Sequence, residues 1–288
     1  MKYRHRKKRK FNIFPLLYIF FGTVAAVSLF LIGFDIYVKV RTENGFDKLA
    51  SLYESDGDDI SDDEYGITDS GEVVIPNGND ADYTDGYGDD GTETTGEKKK
   101  SSYKIPRNLE KLKELNKECV GWICIKNTML NYPLMYSPSS PEKYLKTGFY
   151  GEKSSYGVPF ISSDCTLDST NLIIYGHDMN NNTMFGSLKG YLKSSYWKSH
   201  PTVEIELESG KYEYKIFAAV RVKMTDNWYS YINFKSAKSF DEQIAILKKN
   251  ALYDTGITPK YGDKLITLST CYGKGEVNRL IVVAVRTK

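Results

Sequence analysis

Charges of one sign are missing from long stretches of this 288-residue sequence. Residues 1–10 hold seven basic side chains and no acidic one, whereas residues 54–97 hold 16 acidic side chains and no basic one. The remainder, 98–288, holds 29 basic against 18 acidic side chains, a net charge of +11. An acidic stretch would compete with phosphate for any basic face, so a nucleic-acid partner is not expected.

Charge is absent altogether from Phe11 to Phe34, a run of 24 residues. As a helix rising ~1.5 Å per residue it would reach ~36 Å, enough to cross the ~30 Å hydrocarbon core of a bilayer. A cleaved signal peptide would carry its small residues beyond the apolar core, but Ala25 and Ala26 lie within the run. We therefore predict an uncleaved single-pass anchor over 11–38 in the cell membrane. The basic tail 1–10 would be cytoplasmic and everything after the anchor extracellular.

The segment 39–104 has too few apolar residues to form a core and is predicted to be an extracellular, acidic, flexible linker. Its acidic clusters invite a calcium interpretation, which we tested against the EF-hand loop pattern. Counted from Asp59 or from Asp80, the glycine at position six and the glutamate at position twelve are both missing. A solvated, self-repelling spacer is the better account.

The folded domain is predicted over 105–288. Asn108 can cap a short helix bearing Leu109, Leu112 and Leu115, which Gly121 would follow. Eight short β-branched or aromatic runs then suggest an antiparallel barrel or sandwich: Trp122–Lys126, Asn131–Met135, Val158–Ser162, Asn171–Tyr175, Thr202–Leu207, Lys211–Val222, Lys264–Thr270 and Arg279–Arg286. Ser239 and Glu242 form a capping box for one helix inserted before the last two strands.

Cysteine is scarce, with four in the chain. Four cysteines in an exported protein could form two disulfides, but the spacing of Cys119, Cys124, Cys165 and Cys271 does not resemble a paired framework or a zinc site. One reactive thiol is favoured instead. If the last two strands pair as a hairpin, Cys271 and Arg279 oppose each other next to the loop, with Cβ atoms ~4.5–5.5 Å apart. A cation beside a thiol favours the reactive thiolate. The alternative without a catalytic role is a buried structural cysteine with an arginine at the rim of the barrel.

Histidine, the usual proton partner of a cysteine nucleophile, occurs three times. His5 lies in the predicted cytoplasmic tail, and His200 precedes Pro201 at a loop that we expect to be exposed. His177 follows the apolar strand 171–175 and a glycine, where a side chain can reach across a cleft. His177 is therefore the predicted partner of Cys271.

These residues resemble the motifs of one known family. NLIIYGHDM at 171–179 with MFG at 184–186, and TLSTC at 267–271, are similar to the histidine and cysteine motifs of sortases, class B in particular. The resemblance covers 105–288 and implies an eight-stranded β-barrel with a short N-terminal helix and a helix before the cysteine strand. It implies the catalytic residues His177, Cys271 and Arg279, and the substrate contacts Tyr175, Ser269, Thr270, Tyr231 and Ile232.

The resemblance also implies an activity, which is cysteine transpeptidation outside a Gram-positive membrane. Cys271 would cleave a C-terminal sorting signal of a surface protein at a Thr-Gly or Thr-Asn bond. The resulting thioester would pass to an amine acceptor, the cross-bridge of a lipid-linked peptidoglycan precursor. Neither a metal nor an organic cofactor is needed for this chemistry.

Two alternatives remain open at this point. L,D-transpeptidases are also extracytoplasmic cysteine enzymes with a catalytic histidine, but they place arginine two residues after the cysteine, where this chain has Gly273. The other alternative is a membrane-tethered wall-binding protein whose Cys271 is incidental. Thiol-dependent peptide cleavage would distinguish the enzyme from the binding protein.

Overall fold

The computed structural model describes residues 14–54, 107–273 and 277–287. The predicted tail 1–10 and most of the predicted linker, 55–104, lie outside the described residues. The chain divides into two units, residues 1–48 and 49–288, which are treated separately below.

The described residues of the first unit belong to helix α1, Phe14–Glu54, and the last six residues of this helix are assigned to the second unit. Most of its apolar side chains between Tyr18 and Val40 are exposed, and the mean hydropathy of its best 18-residue window is 2.1. The helix is therefore a candidate membrane span. The linker expected from residue 39 is instead helical as far as Glu54, because Leu49 and Leu52 are buried and stabilise the end of the same helix.

The last six residues of α1 belong to the second unit and are packed there. Leu49 and Leu52 are 1% and 6% exposed. The Tyr53 ring stacks on Trp122 with ring centroids 4.4 Å apart, and its hydroxyl donates a hydrogen bond to the Glu206 carboxylate. These residues are part of the folded domain rather than of a spacer.

The described residues of the second unit form eight strands and three further helices. The strands are β1 Cys119–Cys124, β2 Asn131–Met135, β3 Phe160–Ile161, β4 Asn171–Tyr175, β5 Thr202–Leu207, β6 Gly210–Lys223, β7 Leu265–Cys271 and β8 Asn278–Arg286. The helices are α2 Arg107–Leu115, α3 Ser194–Ser199 and α4 Ala237–Lys249. Short 3₁₀ segments cover Lys143–Leu145, Gly186–Leu192 and Asn227–Ser230.

The eight strands close into a barrel in the order β1-β2-β3-β4-β7-β8-β6-β5. The prediction of an eight-stranded barrel is confirmed, but the barrel is mixed rather than antiparallel. Strands β2 and β3 pair in parallel, as do β4 and β7. Parallel neighbours need long connections: residues 136–159 join β2 to β3, and helices α3 and α4 with strands β5 and β6 lie between β4 and β7 in the chain.

Helix α2 and strand β1 differ from the sequence expectation at their junction. Asn108 Oδ1 accepts from the Leu109 amide at 2.8 Å, and Leu109 and Leu112 are fully buried. Gly121, expected beyond the helix, lies inside β1 instead. A Cβ there would lie 2.0 Å from the Glu206 carbonyl oxygen, so the glycine permits the close approach of β1 and β5.

Helix α4 covers the outer face of the barrel over β6, β7 and β8. It begins one turn earlier than predicted, because Ser236 rather than Ser239 is the N-cap, and the Ser236 hydroxyl accepts from the Ser239 amide at 3.2 Å. Its apolar stripe shares one buried cluster with outward-facing strand residues: Phe240, Ile244, Leu247, Leu265, Ile281, Val283 and Val285. Because both faces of β8 are covered, its sequence is a continuous apolar run.

Candidate active site

The strand register brings the three predicted catalytic residues to one edge of the barrel. Strands β4 and β7 run in parallel with Tyr175 beside Ser269, so His177 and Cys271 each lie two residues beyond the same pair. On the other side of β7, Cys271 is directly opposite Arg279 in antiparallel β8. Neighbouring strands are ~4.7–4.9 Å apart. Cys271 therefore lies between a histidine and an arginine.

The side chains of Cys271 and Arg279 belong to the outer face of the barrel. Side chains alternate along a strand, and Leu265, at the far end of β7 from the active edge, packs in the cluster under α4. Thr267, Ser269 and Cys271 share its face of β7. Thr267 and Ser269 are 0% and 1% exposed, whereas Cys271 is exposed. The covering layer thus ends just before the thiol.

The remaining cysteines are free thiols in less accessible positions. Cys119 and Cys165 are buried and Cys124 is half-buried. Burial raises the pKa of Cys119 to about 12, and burial also raises the pKa of Cys124 and of Cys165. Cys165 is further engaged, since its sulfur lies 3.6 Å from the Asn171 carbonyl oxygen. The chain therefore has four unpaired cysteines, of which Cys271 is open to a substrate.

His177 is half-buried and held by the main chain of a distant loop. Its Nε2 lies 2.7 Å from the carbonyl oxygen of Leu145. A carbonyl oxygen only accepts, so Nε2 carries the hydrogen and Nδ1 is the ring atom left to exchange a proton. The Leu145 contact could not be found from sequence, because 32 residues separate the two partners.

His200 is not the exposed residue that the sequence suggested. It is half-buried, its ring lies 4.3 Å from the Tyr196 ring, and its Nδ1 is 3.1 Å from the Tyr196 carbonyl oxygen. These contacts close the C-terminal end of α3. His200 therefore has a structural place and does not compete with His177.

Arg279 is half-buried at the start of β8. Its Nη1 donates to the Asn278 carbonyl oxygen at 3.0 Å, and its Nη2 lies 3.3 Å from the sulfur of Met224. Met224 extends the β6–β8 ladder, since its amide donates to the Val277 carbonyl at 2.7 Å. The guanidinium plane is thus supported from two sides next to Cys271.

Tyr175, Ser269 and Tyr229 contact one another next to the catalytic residues, and Tyr229 was not predicted from the sequence. The Tyr229 hydroxyl and the Ser269 hydroxyl are 2.8 Å apart, and the Tyr229 ring stacks on Tyr175 at 6.3 Å. Burial raises the pKa of Tyr175 to about 12 and also raises the pKa of Tyr229. Arg279 lowers the pKa of Tyr229 and Cys271 raises it, so both lie close enough to act on this hydroxyl. The aromatic sequence WYSY at 228–231 was the available signal.

Ser269 and Thr270, predicted as substrate contacts, are 1% and 2% exposed. The Thr270 hydroxyl donates to the Gly176 carbonyl oxygen at 2.7 Å, which ties the ends of β7 and β4 together beside His177. Their burial does not support direct contact with a peptide. Both residues instead hold the parts that surround Cys271.

Tyr231 and Ile232 lie at the opposite end of β4. The Asn171 side chain donates to the Tyr231 carbonyl at 3.1 Å, and the Asn171 amide donates to the Ile232 carbonyl at 2.9 Å. The Tyr231 ring stacks on Phe234 at 5.6 Å. At ~3.3 Å per residue, the backbone positions bonded to Asn171 are ~13 Å from Tyr175. The structure therefore does not bring this pair to Cys271.

An exposed thiol between an imidazole and a guanidinium can perform nucleophilic substitution at a carbonyl. The thiol supplies the nucleophile, the imidazole can move a proton, and the guanidinium can donate to a developing oxyanion. Cys271 ends β7, Arg279 lies at the start of β8, and His177 follows β4 by two residues and is held by the Leu145 carbonyl, which favours a fixed geometry.

Comparison with known proteins identifies the family. A sequence model of the Sortase domain matches residues 141–287. Sortase B of Staphylococcus aureus is 32% identical over 181 residues, which cover 61% of this chain and 73% of that protein. A Staphylococcus aureus sortase B–substrate complex superposes with a TM-score of 0.59 at 31% identity, covering 63% of this chain and 85% of that one.

A sortase B solved in complex with triglycine gives the same TM-score of 0.59 at 30% identity, covering 63% of this chain and 86% of that one. The barrel, the matched Sortase domain and the sequence identity over more than two thirds of a curated relative agree with one another. The chain therefore belongs to class B of the sortase family and is a sortase cysteine transpeptidase.

Proposed function

We propose that Cys271 is the nucleophile, His177 the proton-transfer group and Arg279 the oxyanion or backbone donor of this transpeptidase. The observation that carries the proposal is the register of three adjacent strands, which sets Cys271 beside both partners. The exposure of Cys271 supports the assignment, because the buried Cys119 and Cys165 cannot meet a peptide without local unfolding.

The reaction proceeds in two acyl-transfer steps. The Cys271 thiolate attacks the carbonyl carbon of a threonine in the sorting signal, and Arg279 donates to the oxygen that becomes negative. Nδ1 of the protonated His177 gives its proton to the departing amine as the C–N bond breaks, leaving a thioester. An incoming amine then loses its proton to His177 and displaces the thiolate, which restores the starting enzyme.

The signal is proposed to bind at the open edge of the barrel, where Cys271 is exposed and Tyr175 is half-buried. The three residues before the threonine span ~10 Å when extended, which is long enough to reach from Cys271 past Tyr175. Tyr175 is half-buried and stacked on Tyr229, so its ring offers a fixed apolar wall. Ser269 and Thr270 would act by holding this wall and the strand ends.

The expected partners are surface proteins with a C-terminal signal cleaved at a Thr-Gly or Thr-Asn bond, and a peptidoglycan-precursor amine. The Staphylococcus aureus relative has been solved with a substrate and a sortase B with triglycine, which supports a peptide donor and a glycine amine acceptor. Helix α1 supports a membrane anchor, with the cytoplasmic tail 1–10 and an extracellular catalytic domain.

The test uses the full chain in detergent micelles with quenched Leu/Asn/Ser-Pro-x-Thr-Gly/Asn/Ala peptides and triglycine. We expect a product cut after threonine and joined to triglycine, identified by mass spectrometry. Cys271→Ala should abolish it, whereas the matched variant Cys165→Ala should retain it. Cleavage that persists in Cys271→Ala, or a wild-type chain that cleaves none of the peptides, would contradict the proposal.

A further inference from the structure

The carbonyl that holds His177 lies in the long connection between β2 and β3. This connection has one short 3₁₀ segment, Lys143–Leu145, and its other residues form turns and isolated bridges. Glu142, at the start of that segment, adopts the left-handed conformation with φ 62°. Such a segment does not fix the Leu145 carbonyl by its own secondary structure, so its position depends on contacts with the barrel.

One carboxylate gathers three donors from this connection. Glu118 accepts hydrogen bonds from Ser137 Oγ at 2.8 Å, from Lys143 Nζ at 2.6 Å and from the Tyr144 hydroxyl at 2.5 Å. Glu118 comes just before β1, and its own carbonyl oxygen accepts from the Tyr136 amide at 2.9 Å. The carboxylate is therefore attached to the barrel while its ligands belong to the connection.

Tyr144, the residue before Leu145, is fixed at both ends. Its hydroxyl also accepts from Asn116 Nδ2 at 3.1 Å, and its carbonyl oxygen accepts from the Val158 amide at 3.0 Å. Gly157 has φ +59°, and a Cβ there would lie 2.1 Å from the Tyr144 carbonyl oxygen. Tyr144 is 1% exposed. A residue held in this way leaves the next carbonyl, that of Leu145, little freedom of direction.

We propose that Glu118 is a positioning residue for His177, acting through Tyr144 and the Leu145 carbonyl that binds Nε2. The proposal rests on the proton-transfer role given to His177 above. Fixing the ring by its Nε2 hydrogen selects the tautomer and aims Nδ1 at the reaction, as an orienting acceptor does for a catalytic imidazole.

The negative charge of Glu118 is needed for this arrangement. Burial raises the pKa of Glu118, but the hydrogen bonds from Lys143, Tyr144 and Ser137 outweigh burial and hold the pKa below its ordinary value. The carboxylate is thus ionised at neutral pH and can accept from all three donors. A glutamine would turn amide hydrogens toward at least one of them, so Glu118→Gln loosens the assembly with little change in volume.

The test compares Glu118→Gln and Tyr144→Phe with Glu204→Gln in the full chain. Glu204 is a matched control because it is also half-buried and, although burial raises its pKa, Lys126 and Lys211 outweigh that effect and hold the pKa below the ordinary value. These two lysines lie on the far side of the barrel from the thiol. Transfer to triglycine is measured well below each melting temperature. We expect kcat about 10-fold lower for Glu118→Gln and Tyr144→Phe, KM within about twofold, and wild-type kcat for Glu204→Gln.

A second readout does not depend on turnover. In ¹⁵N NMR of the histidine rings, His177, assigned with His177→Ala, should be the Nε2–H tautomer in the wild type and a mixture of tautomers in Glu118→Gln and Tyr144→Phe. A wild type without turnover would refute the transpeptidase proposal and leave this spectrum to decide the positioning role. Wild-type spectra and kcat in both variants would overturn the role of Glu118. Tyr144→Phe keeps the test decisive if Glu118→Gln does not fold.

Discussion

Replacement of Arg279 by lysine separates two roles of the side chain, because it keeps the charge and removes the planar set of donors. Arg279 is directly opposite Cys271, with Cβ atoms ~4.5–5.5 Å apart. A unit positive charge at this position attracts a thiolate, and water at the exposed thiol weakens the attraction. Lysine retains most of that attraction. A purely electrostatic role therefore predicts a modest loss.

The structure favours a geometric role. The guanidinium plane is set by Nη1 on the Asn278 carbonyl at 3.0 Å and by Nη2 against the Met224 sulfur at 3.3 Å. Lysine has one nitrogen on a flexible stem and cannot occupy both contacts while donating to an oxyanion. We therefore expect a loss comparable to removal of an oxyanion donor, roughly 10²–10³ in kcat or about 2.7–4 kcal/mol.

The assay pairs peptide transfer with the alkylation of Cys271 by iodoacetamide, which reports the thiolate alone. For Arg279→Lys we expect the large loss in transfer together with an alkylation rate near wild type. Arg286→Lys is the matched control, since Arg286 ends the same strand and lies 4.9 Å above the Tyr212 ring, far from the thiol. An Arg279→Lys variant that retains more than about a tenth of the wild-type rate would refute the donor role.

Three further predictions concern the thiols, the helix end and the buried polar network. In the native chain at pH 7, iodoacetamide should label Cys271 far faster than Cys119, because burial raises the pKa of the Cys119 thiol to about 12. Cys119→Ala should retain activity, and peptide mapping that finds Cys119 labelled first would contradict the prediction. Leu52→Ala should destabilise the second unit by about 2–3 kcal/mol and lower its melting temperature by at least ~4 °C. Ser51→Ala, at the exposed neighbouring position, should change the melting temperature little, and equal melting curves for the two variants would mean that the end of α1 does not pack in solution. Thr267→Val should lower the free energy of unfolding by roughly 2–4 kcal/mol, because Trp228 Nε1 and Asn171 Oδ1 would lose the buried hydroxyl that lies 3.0 and 2.9 Å from them. Chemical denaturation measures this loss, and an unchanged midpoint would refute the prediction.

The sequence was most informative where chemistry and strand periodicity coincide. The runs Asn171–Tyr175 and Lys264–Thr270 predicted β4 and β7 within a residue, and the pairing of Cys271 with Arg279 is confirmed by the register. The assumption of a hairpin, with Cys271 and Arg279 next to its loop, was enough to give that register. It could not reveal that β4 and β7 run in parallel, because direction depends on how the intervening residues cross the barrel.

Residues that reach the site through loops were not predictable in the same way. Tyr229 contacts Ser269 across 40 residues of sequence, and the Leu145 carbonyl reaches His177 across 32. A backbone carbonyl leaves no signal in the sequence, and nothing in the sequence WYSY distinguishes Tyr229, which contacts Ser269, from Tyr231, which does not. The same applies to Ser236, which caps α4 although Ser239 fits the local pattern better. In each case tertiary packing chose among local options of similar quality.

The mixed pairing explains how an accessible thiol can rest on a fully packed face. Because β4 and β7 are parallel, both end at the same edge, and antiparallel β8 begins there. Along the outer face of β7 exposure changes from 0% at Thr267 and 1% at Ser269 to an open Cys271, since the α4 layer and Tyr229 stop at that point. A slip of one residue would turn Cys271 into the barrel interior and Thr270 outward. The buried bonds from Trp228 and Asn171 to Thr267 oppose that slip, because it would leave both without their partner. The polar network beneath the site therefore sets the register on which the reactivity of Cys271 depends.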